Sequence, residues 1–200
     1  LRELYPTFSD FERHLQLPDK LSCTIDLATG TGKSYVLYGI ARIMLAEGIV
    51  NRVLVLAPST TIEKGLTEKF RQLSADADLL RLISEDAKTR NPRIINATET
   101  IRAGDICIEN IHAVYEYVKS SVQDSLTGRG ETTLVLNDEV HHAYNPPGRD
   151  QAIKKWKEFL LDEKYNFKYI VGATGTAYIG NDYFTDVVYR YSLRQAIEER

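Results

Sequence analysis

Seven residues, Ala28-Thr29-Gly30-Thr31-Gly32-Lys33-Ser34, constrain the fold of this chain more than any other stretch. An apolar run, Leu21–Leu27, leads in. Lys33–Ala46 leads out with Val36, Leu37, Ile40, Ile43 and Met44 at helical spacing, and Gly48 is placed to stop it. A strand that turns through glycines into a helix presents unpaired N–H groups and the positive end of the helix dipole, which favours a dense anion. Gly30 and Gly32 allow the backbone to wrap closely where a Cβ would intrude. Thr29, Gly30, Thr31 and Gly32 line the expected cradle, Lys33 offers a compact cation for β- and γ-phosphates, and the Ser34 hydroxyl is placed to ligate Mg²⁺. The implied ligand is a magnesium nucleotide, ATP. The usual G-x-x-x-x-G-K-[ST] pattern would need glycine at Leu27, so this loop is a variant form.

Apolar runs alternate with amphipathic segments along the rest of the chain. Strands are predicted at 53–57, 79–83, 93–97, 105–108, 134–136 and 169–171, with 93–97 read as an edge piece or a hairpin arm. Helices are predicted at 61–73, 111–118 and Gln151–Leu161, and loops at 120–132 and 144–150. Strands alternating with crossover helices imply an α/β three-layer sandwich around a mostly parallel sheet. The expected organisation is a lead-in over 1–20, a nucleotide-binding lobe over 21–182, and an exit segment over 183–200, where the text turns aromatic and charged. The chain starts without Met and stops after one lobe, which reads as a piece of something larger.

A phosphate loop alone does not separate a kinase from a hydrolase. The predicted strand at 134–136 delivers Asp138 and Glu139 at its end. Adjacent carboxylates there divide the labour: Asp138 holds the metal, and Glu139 orients and deprotonates the attacking water. A kinase has no need of that glutamate, because its nucleophile arrives on the substrate. Catalysis is therefore assigned to Glu139 and Lys33, and metal binding to Ser34 and Asp138. Two rivals remain: a P-loop kinase or NTPase not acting on nucleic acid, and a nucleotide-binding interaction module without catalysis.

The loop 28–34, the Asp138-Glu139-Val140-His141 box and Ala173-Thr174-Gly175-Thr176 together resemble motifs I, II and III of superfamily 2 helicases and translocases. The stretch Leu56-Ala57-Pro58-Ser59-Thr60-Thr61-Ile62-Glu63-Lys64-Gly65 and the box Asn137-Asp138-Glu139-Val140-His141-His142 look most like those of type III restriction Res subunits. The resemblance spans most of the chain, about residues 25–177. It implies the N-terminal RecA-like motor lobe of a DEAD/DEAH-type ATPase, with His141, Thr174 and Thr176 coupling nucleotide state to a second lobe. It also implies nucleic-acid contact at Pro58, Ser59 and Gly65. DNA is the implied substrate with RNA as the alternative, and a second RecA-like lobe of the same full-length chain and a restriction-modification subunit are the implied partners. Gly172-Ala173-Thr174 stands where the family usually has Ser-Ala-Thr. No convincing match exists to the family's adenine-reading glutamine, for which Gln16 is the nearest candidate.

The formal net charge of −3 argues against unspecific capture of DNA by this region alone. Cys23 and Cys107 sit in apolar runs and read as buried thiols of a reducing, cytoplasmic compartment. No apolar run is long enough for a membrane span. His112 and His142 lack spaced partners and are not expected to bind metal. Tyr144, Tyr178, Tyr183, Tyr189 and Tyr191 read as interface or half-buried packing residues rather than base-stacking ones, and Lys154-Lys155-Trp156-Lys157 as a solvated helix face with Trp156 inward.

Overall fold

A computed structural model describes residues 6–115, 120–145 and 151–199. In chain order the elements are α1 (Phe8–Glu12), β1 (Leu21–Leu27), α2 (Lys33–Ala46), β2 (Arg52–Ala57), α3 (Thr60–Ser74), α4 (Ala77–Arg81), β3 (Arg93–Ile95) and β4 (Asp105–Asn110). There follow α5 (Ile111–Tyr115), α6 (Val122–Leu126), a 3₁₀ turn (Gly130–Thr132), β5 (Thr133–Asp138), α7 (His141–Tyr144), α8 (Gln151–Leu161) and β6 (Tyr169–Thr174). A short hairpin, β7 (Tyr178–Ile179) and β8 (Asp182–Tyr183), precedes β9 (Val187–Tyr191) and α9 (Leu193–Glu198).

Seven strands form one sheet in the order β3-β4-β2-β5-β6-β1-β9, and every pairing in it is parallel. Strand alternation sends Val53, Val55, Leu134 and Leu136 to a core under α2 and α3, and Leu54, Leu56, Val135 and Ile170 to a core under α5 to α8. Both faces are therefore covered, which is why β2 and β5 read as unbroken apolar runs. Each fully buried Leu or Val contributes roughly 1.5–3 kcal/mol of transfer free energy. Gly48 ends α2 as expected: it adopts φ +69°, with Ile49 N–H donating to Met44 O (3.0 Å) and Gly48 N–H to Leu45 O (3.2 Å).

Several expectations are corrected. The segment 79–83 is not a strand: 79–81 close helix α4, which Asp76 caps by accepting from Asp78 N and Leu79 N, and 82–83 turn out of it. Of the two readings of 93–97, the edge piece holds and the hairpin arm does not: Arg93 to Ile95 pair in parallel with Asp105 to Cys107 at the sheet's edge. Segment 120–132 is largely ordered by α6 and the 3₁₀ turn; Gly130 is required there, since a Cβ would lie 2.3 Å from Tyr165 O. The helix expected over 111–118 is described only to Tyr115, and of the loop expected over 144–150, Tyr144 closes α7 and 146–150 lie outside the described residues. The lead-in is anchored, with Leu17 fully buried. The stretch read as an exit segment returns to the sheet: β9 pairs with β1, from Thr24↔Val187 to Leu27↔Tyr191. Cys107 is buried and Cys23 half-buried, both as free thiols. Among the described residues, no helix is long and apolar enough to cross a membrane.

Candidate nucleotide site

The parallel register brings the carboxyl ends of β1, β5 and β6 level, with Asp138 opposite Ala173 and Asp26 opposite Thr174. At the end of β1 the chain turns tightly, with Thr31 N–H and Thr31 Oγ1 both donating to Ala28 O (3.2 and 2.7 Å). Gly30 (φ +82°) and Gly32 (φ +95°) take left-handed conformations that L side chains rarely adopt. Gly32 is the N-cap of α2 and offers no side-chain cap; Tyr35 N–H donates to Gly32 O (2.9 Å), and the N–H groups of Lys33 and Ser34 ahead of it face the loop's opening for a ligand.

Lys33 Nζ leaves this loop towards the end of β5, where it donates to the Glu139 carboxylate and lies 3.9 Å from Asp138 Oδ1. Glu139 itself has φ +54°, a costly conformation for a non-glycine residue, and it turns the chain sharply out of β5. Behind it, Val140 N–H donates to Ala173 O (3.1 Å) and the Val140 side chain fills the space over Gly172. A Cβ on Gly172 would come within 2.6 Å of Val140 Cγ1. The departure from Ser-Ala-Thr thus has a steric origin.

His141 Nδ1 is 2.8 Å from Thr174 Oγ1 and 3.4 Å from Glu139 Oε2. Thr174 Oγ1 accepts from Thr176 N–H (3.0 Å), which completes a chain from carboxylate to imidazole to hydroxyl to backbone. Burial pushes the Asp138 carboxyl up to about 6, although Lys33 pulls the other way. Burial also acts on Glu139, but hydrogen bonds from His141 and Lys33, together with their charges, outweigh it and hold this carboxyl down at about 2. Among the described residues, the hydrogen bond and ion pair of Asp138 both fall on Oδ1, which leaves Oδ2 for a cation. With the Ser34 hydroxyl at the start of α2, the donor set is oxygen-only and suits a hard ion such as Mg²⁺.

The residues expected at the nucleotide site are therefore brought to one edge. Pro58 and Ser59 lie on the same edge at the end of β2, where Ser59 Oγ accepts from Ile62 N–H (3.4 Å) and caps α3. Gly65 is exposed on α3, with open space where a Cβ would be. These three are not joined to the phosphate loop by any hydrogen bond described here. Trp156 is buried as expected, and its Nε1–H donates to Asn137 Oδ1 (2.9 Å), tying α8 to the strand that carries the carboxylates. Tyr144 packs edge-on against Phe184.

Sequence reasoning missed three participants. Asp26, buried two residues before the loop, accepts from Tyr183 Oη (2.7 Å) and pairs with Arg190 Nε (3.4 Å). Gly175 abuts the loop directly: its Cβ would lie 3.2 Å from Leu27 O and 3.6 Å from Thr29 N. At the end of β4, Asn110 Nδ2 bridges Glu109 Oε1 (2.9 Å) and Glu63 Oε2 (2.7 Å), and burial pushes the Glu109 carboxyl up. An Asp two residues before a phosphate loop and a polar pair closing an apolar strand were the available signals.

Compared with known protein families, residues 8–179 match the model of the type III restriction enzyme, res subunit. The chain belongs to that family. In fold, this Res-type lobe is similar to a DEAD box protein from the hyperthermophile Methanococcus jannaschii, at 12% identity over 89% of this chain and 47% of that one, with a TM-score of 0.57. It is similar also to the Pyrococcus furiosus Hef helicase domain, at 18% identity, 95% and 38% coverage and a TM-score of 0.52. The UvsW helicase from bacteriophage T4 aligns at 15% identity over 87% of this chain and 54% of that one, with a TM-score of 0.49. No curated protein sequence matches this one. The Res-type lobe spans about half or less of the length of these solved chains, and it has the RecA-like helicase fold of the DEAD box protein it matches.

Proposed function

We propose that this lobe is the ATP-binding part of a nucleic-acid-dependent ATPase, a helicase or translocase acting on DNA in a restriction or other defence system. The observation that carries the reading is the convergence of Lys33, Asp138 and Glu139, with His141 linking Glu139 to Thr174. The triphosphate of ATP occupies the loop at 28–34, held by first-turn N–H groups and Lys33. Mg²⁺, when bound, offsets phosphate charge, and Ser34 Oγ and Asp138 Oδ2 are the oxygens that would hold it.

Lys33 is the mobile charge in this arrangement. A γ-phosphate entering the loop competes with Glu139 for the ammonium. Loss of that contact removes one of the partners that depress Glu139, so its proton affinity rises as the attacking water arrives. His141 keeps hold of the carboxylate from the other side and passes its position to Thr174 and Thr176. Pro58, Ser59 and Gly65 lie on the face assigned to the nucleic-acid backbone. A second RecA-like lobe would close the site, and a restriction-modification subunit would direct it; the lobe alone turns over slowly or not at all.

Glu139→Gln in the full-length protein tests the reading. ATP binding should persist while DNA-stimulated hydrolysis falls by about 10²–10⁴. Unchanged turnover in that variant, or turnover indifferent to DNA and RNA in the wild type, would favour a P-loop enzyme not acting on nucleic acid.

A further inference from the structure

The phosphate loop fixes where the triphosphate sits, but the glutamine expected to read the base has no convincing match in the sequence. The structure offers another nucleoside contact beside the loop. Tyr35 stands two residues after Lys33, in the first turn of α2, and is 54% exposed. Helical side chains lean towards the helix N-terminus, and Tyr35 does so: its Cδ2 comes within 3.9 Å of the position a Cβ would take on Gly32. The ring is held in place by Lys69 of α3, whose Nζ donates to Tyr35 Oη (2.7 Å) and lies 4.2 Å from the ring centroid. A large exposed aromatic ring is thereby fixed against the wall of an anion cradle.

Behind Tyr35 opens a groove of about 420 Å³ between α2 and α4, lined by Tyr38, Ile43, Leu73, Leu79 and Leu82. Arg42 is the one charged side chain in its lining, and it is spent on Arg90 O (2.5 Å) and Tyr38 Oη (3.5 Å). Tyr35 lines the groove and also stands beside Gly32 of the loop. The direction of a bound nucleotide follows from the same geometry. Lys33 meets Glu139 at the γ end, so the phosphate chain runs back along the first turn and the nucleoside leaves past Ser34, next to Tyr35.

We propose that Tyr35, braced by Lys69, is the stacking platform for the nucleobase of the bound nucleotide, at the mouth of this groove. The inference rests on the nucleotide reading of the loop. Stacking uses the π-face that every base has, and among the described residues the polar side chains lining the groove, Tyr35, Tyr38 and Arg42, each already have a partner. The site therefore takes purine nucleotides with little discrimination.

Competition binding of ATP, GTP and tripolyphosphate to the wild type, Tyr35→Ala, Tyr35→Phe and Lys33→Ala separates the outcomes. Tyr35→Ala should weaken ATP and GTP alike, by about tenfold, and leave tripolyphosphate unchanged, while Tyr35→Phe keeps both nucleotides near wild-type affinity. Two results overturn the platform: ATP affinity untouched by Tyr35→Ala, or ATP and tripolyphosphate weakened equally, which would mean that the ring only supports Gly32. If Lys33→Ala also left ATP and tripolyphosphate unaffected, the nucleotide reading itself would fall, and the platform with it.

Discussion

The carboxyl edge of the sheet is built in two ways on its two halves. Along β5, β6, β1 and β9, functional carboxylates meet cations or an imidazole: Glu139 meets Lys33 and His141, and Asp26 meets Arg190. At the end of β4, Glu109 meets Glu63 of α3 across the amide of Asn110, with no cation between them among the described residues. The first half is where the nucleotide is proposed to sit. In the second half this carboxylate pair offers a phosphate no counter-charge, and the contacts proposed at Pro58, Ser59 and Gly65 are themselves uncharged.

The comparison can be broken most forcibly at Gly172. If the packed half depends on Val140 seated over that glycine, Gly172→Ala should destabilise the lobe by about 1–3 kcal/mol in urea unfolding, as expected of an overfilled core. Val140→Ala placed in the same chain should recover part of the loss, a coupling that a double-mutant cycle reads directly. Strict additivity of the two would remove Val140 from the explanation.

A smaller effect is expected at Asp186, next to β9. Its carboxyl is buried; Thr24 Oγ1 donates to Oδ2 (3.1 Å), and Oδ1 has no partner among the described residues. Burial pushes this carboxyl above its ordinary value, against the Thr24 bond and the Lys157 charge. A raised acid binds its proton more tightly when folded, so its contribution to stability is fully present below the ordinary carboxylate range and is lost as pH rises through the folded value. Asp186→Asn should stabilise the lobe by about 1 kcal/mol at neutral pH, and the two unfolding curves should converge on acidification. A gap between them that stays constant from about pH 8 to about pH 4 would contradict the assignment.

The smallest effect sharpens the open half. Gly65→Ala meets no neighbour and should stabilise α3 by about 0.5–1 kcal/mol. If the bare helix face carries a nucleic-acid backbone, DNA affinity should fall in the same variant although the lobe is more stable. Undiminished DNA binding would take Gly65 out of the interface.

Much of the packed half was legible because its chemistry is local. Strand, glycine turn, Lys33 and helix follow one another in the text, and Asp138-Glu139 ends an apolar run that could only be a covered strand. What escaped was non-local or ambiguous. Tyr183 and Asp26 are joined across 157 positions, and nothing in either neighbourhood announces the other. The apolar residues of 79–83 suit a strand or a helix equally, and a cap at Asp76 decides between them. β9 went unread because Val188 and Tyr189, which point to opposite faces, are 68% and 56% exposed, so this edge strand has no buried face and no alternation to detect. The positive φ of Glu139 has no sequence signature, since the residue type argues against it.

The contact at Gly175 has a mechanical consequence. Most neighbours in a protein meet through side chains that can rotate out of the way, but the turn of Thr174 to Thr176 approaches the loop so closely that a Cβ on Gly175 would stand only 3.2 Å from Leu27 O. A shift of the loop at Leu27 or Thr29 would therefore press on the threonine turn with no rotamer at position 175 to absorb it.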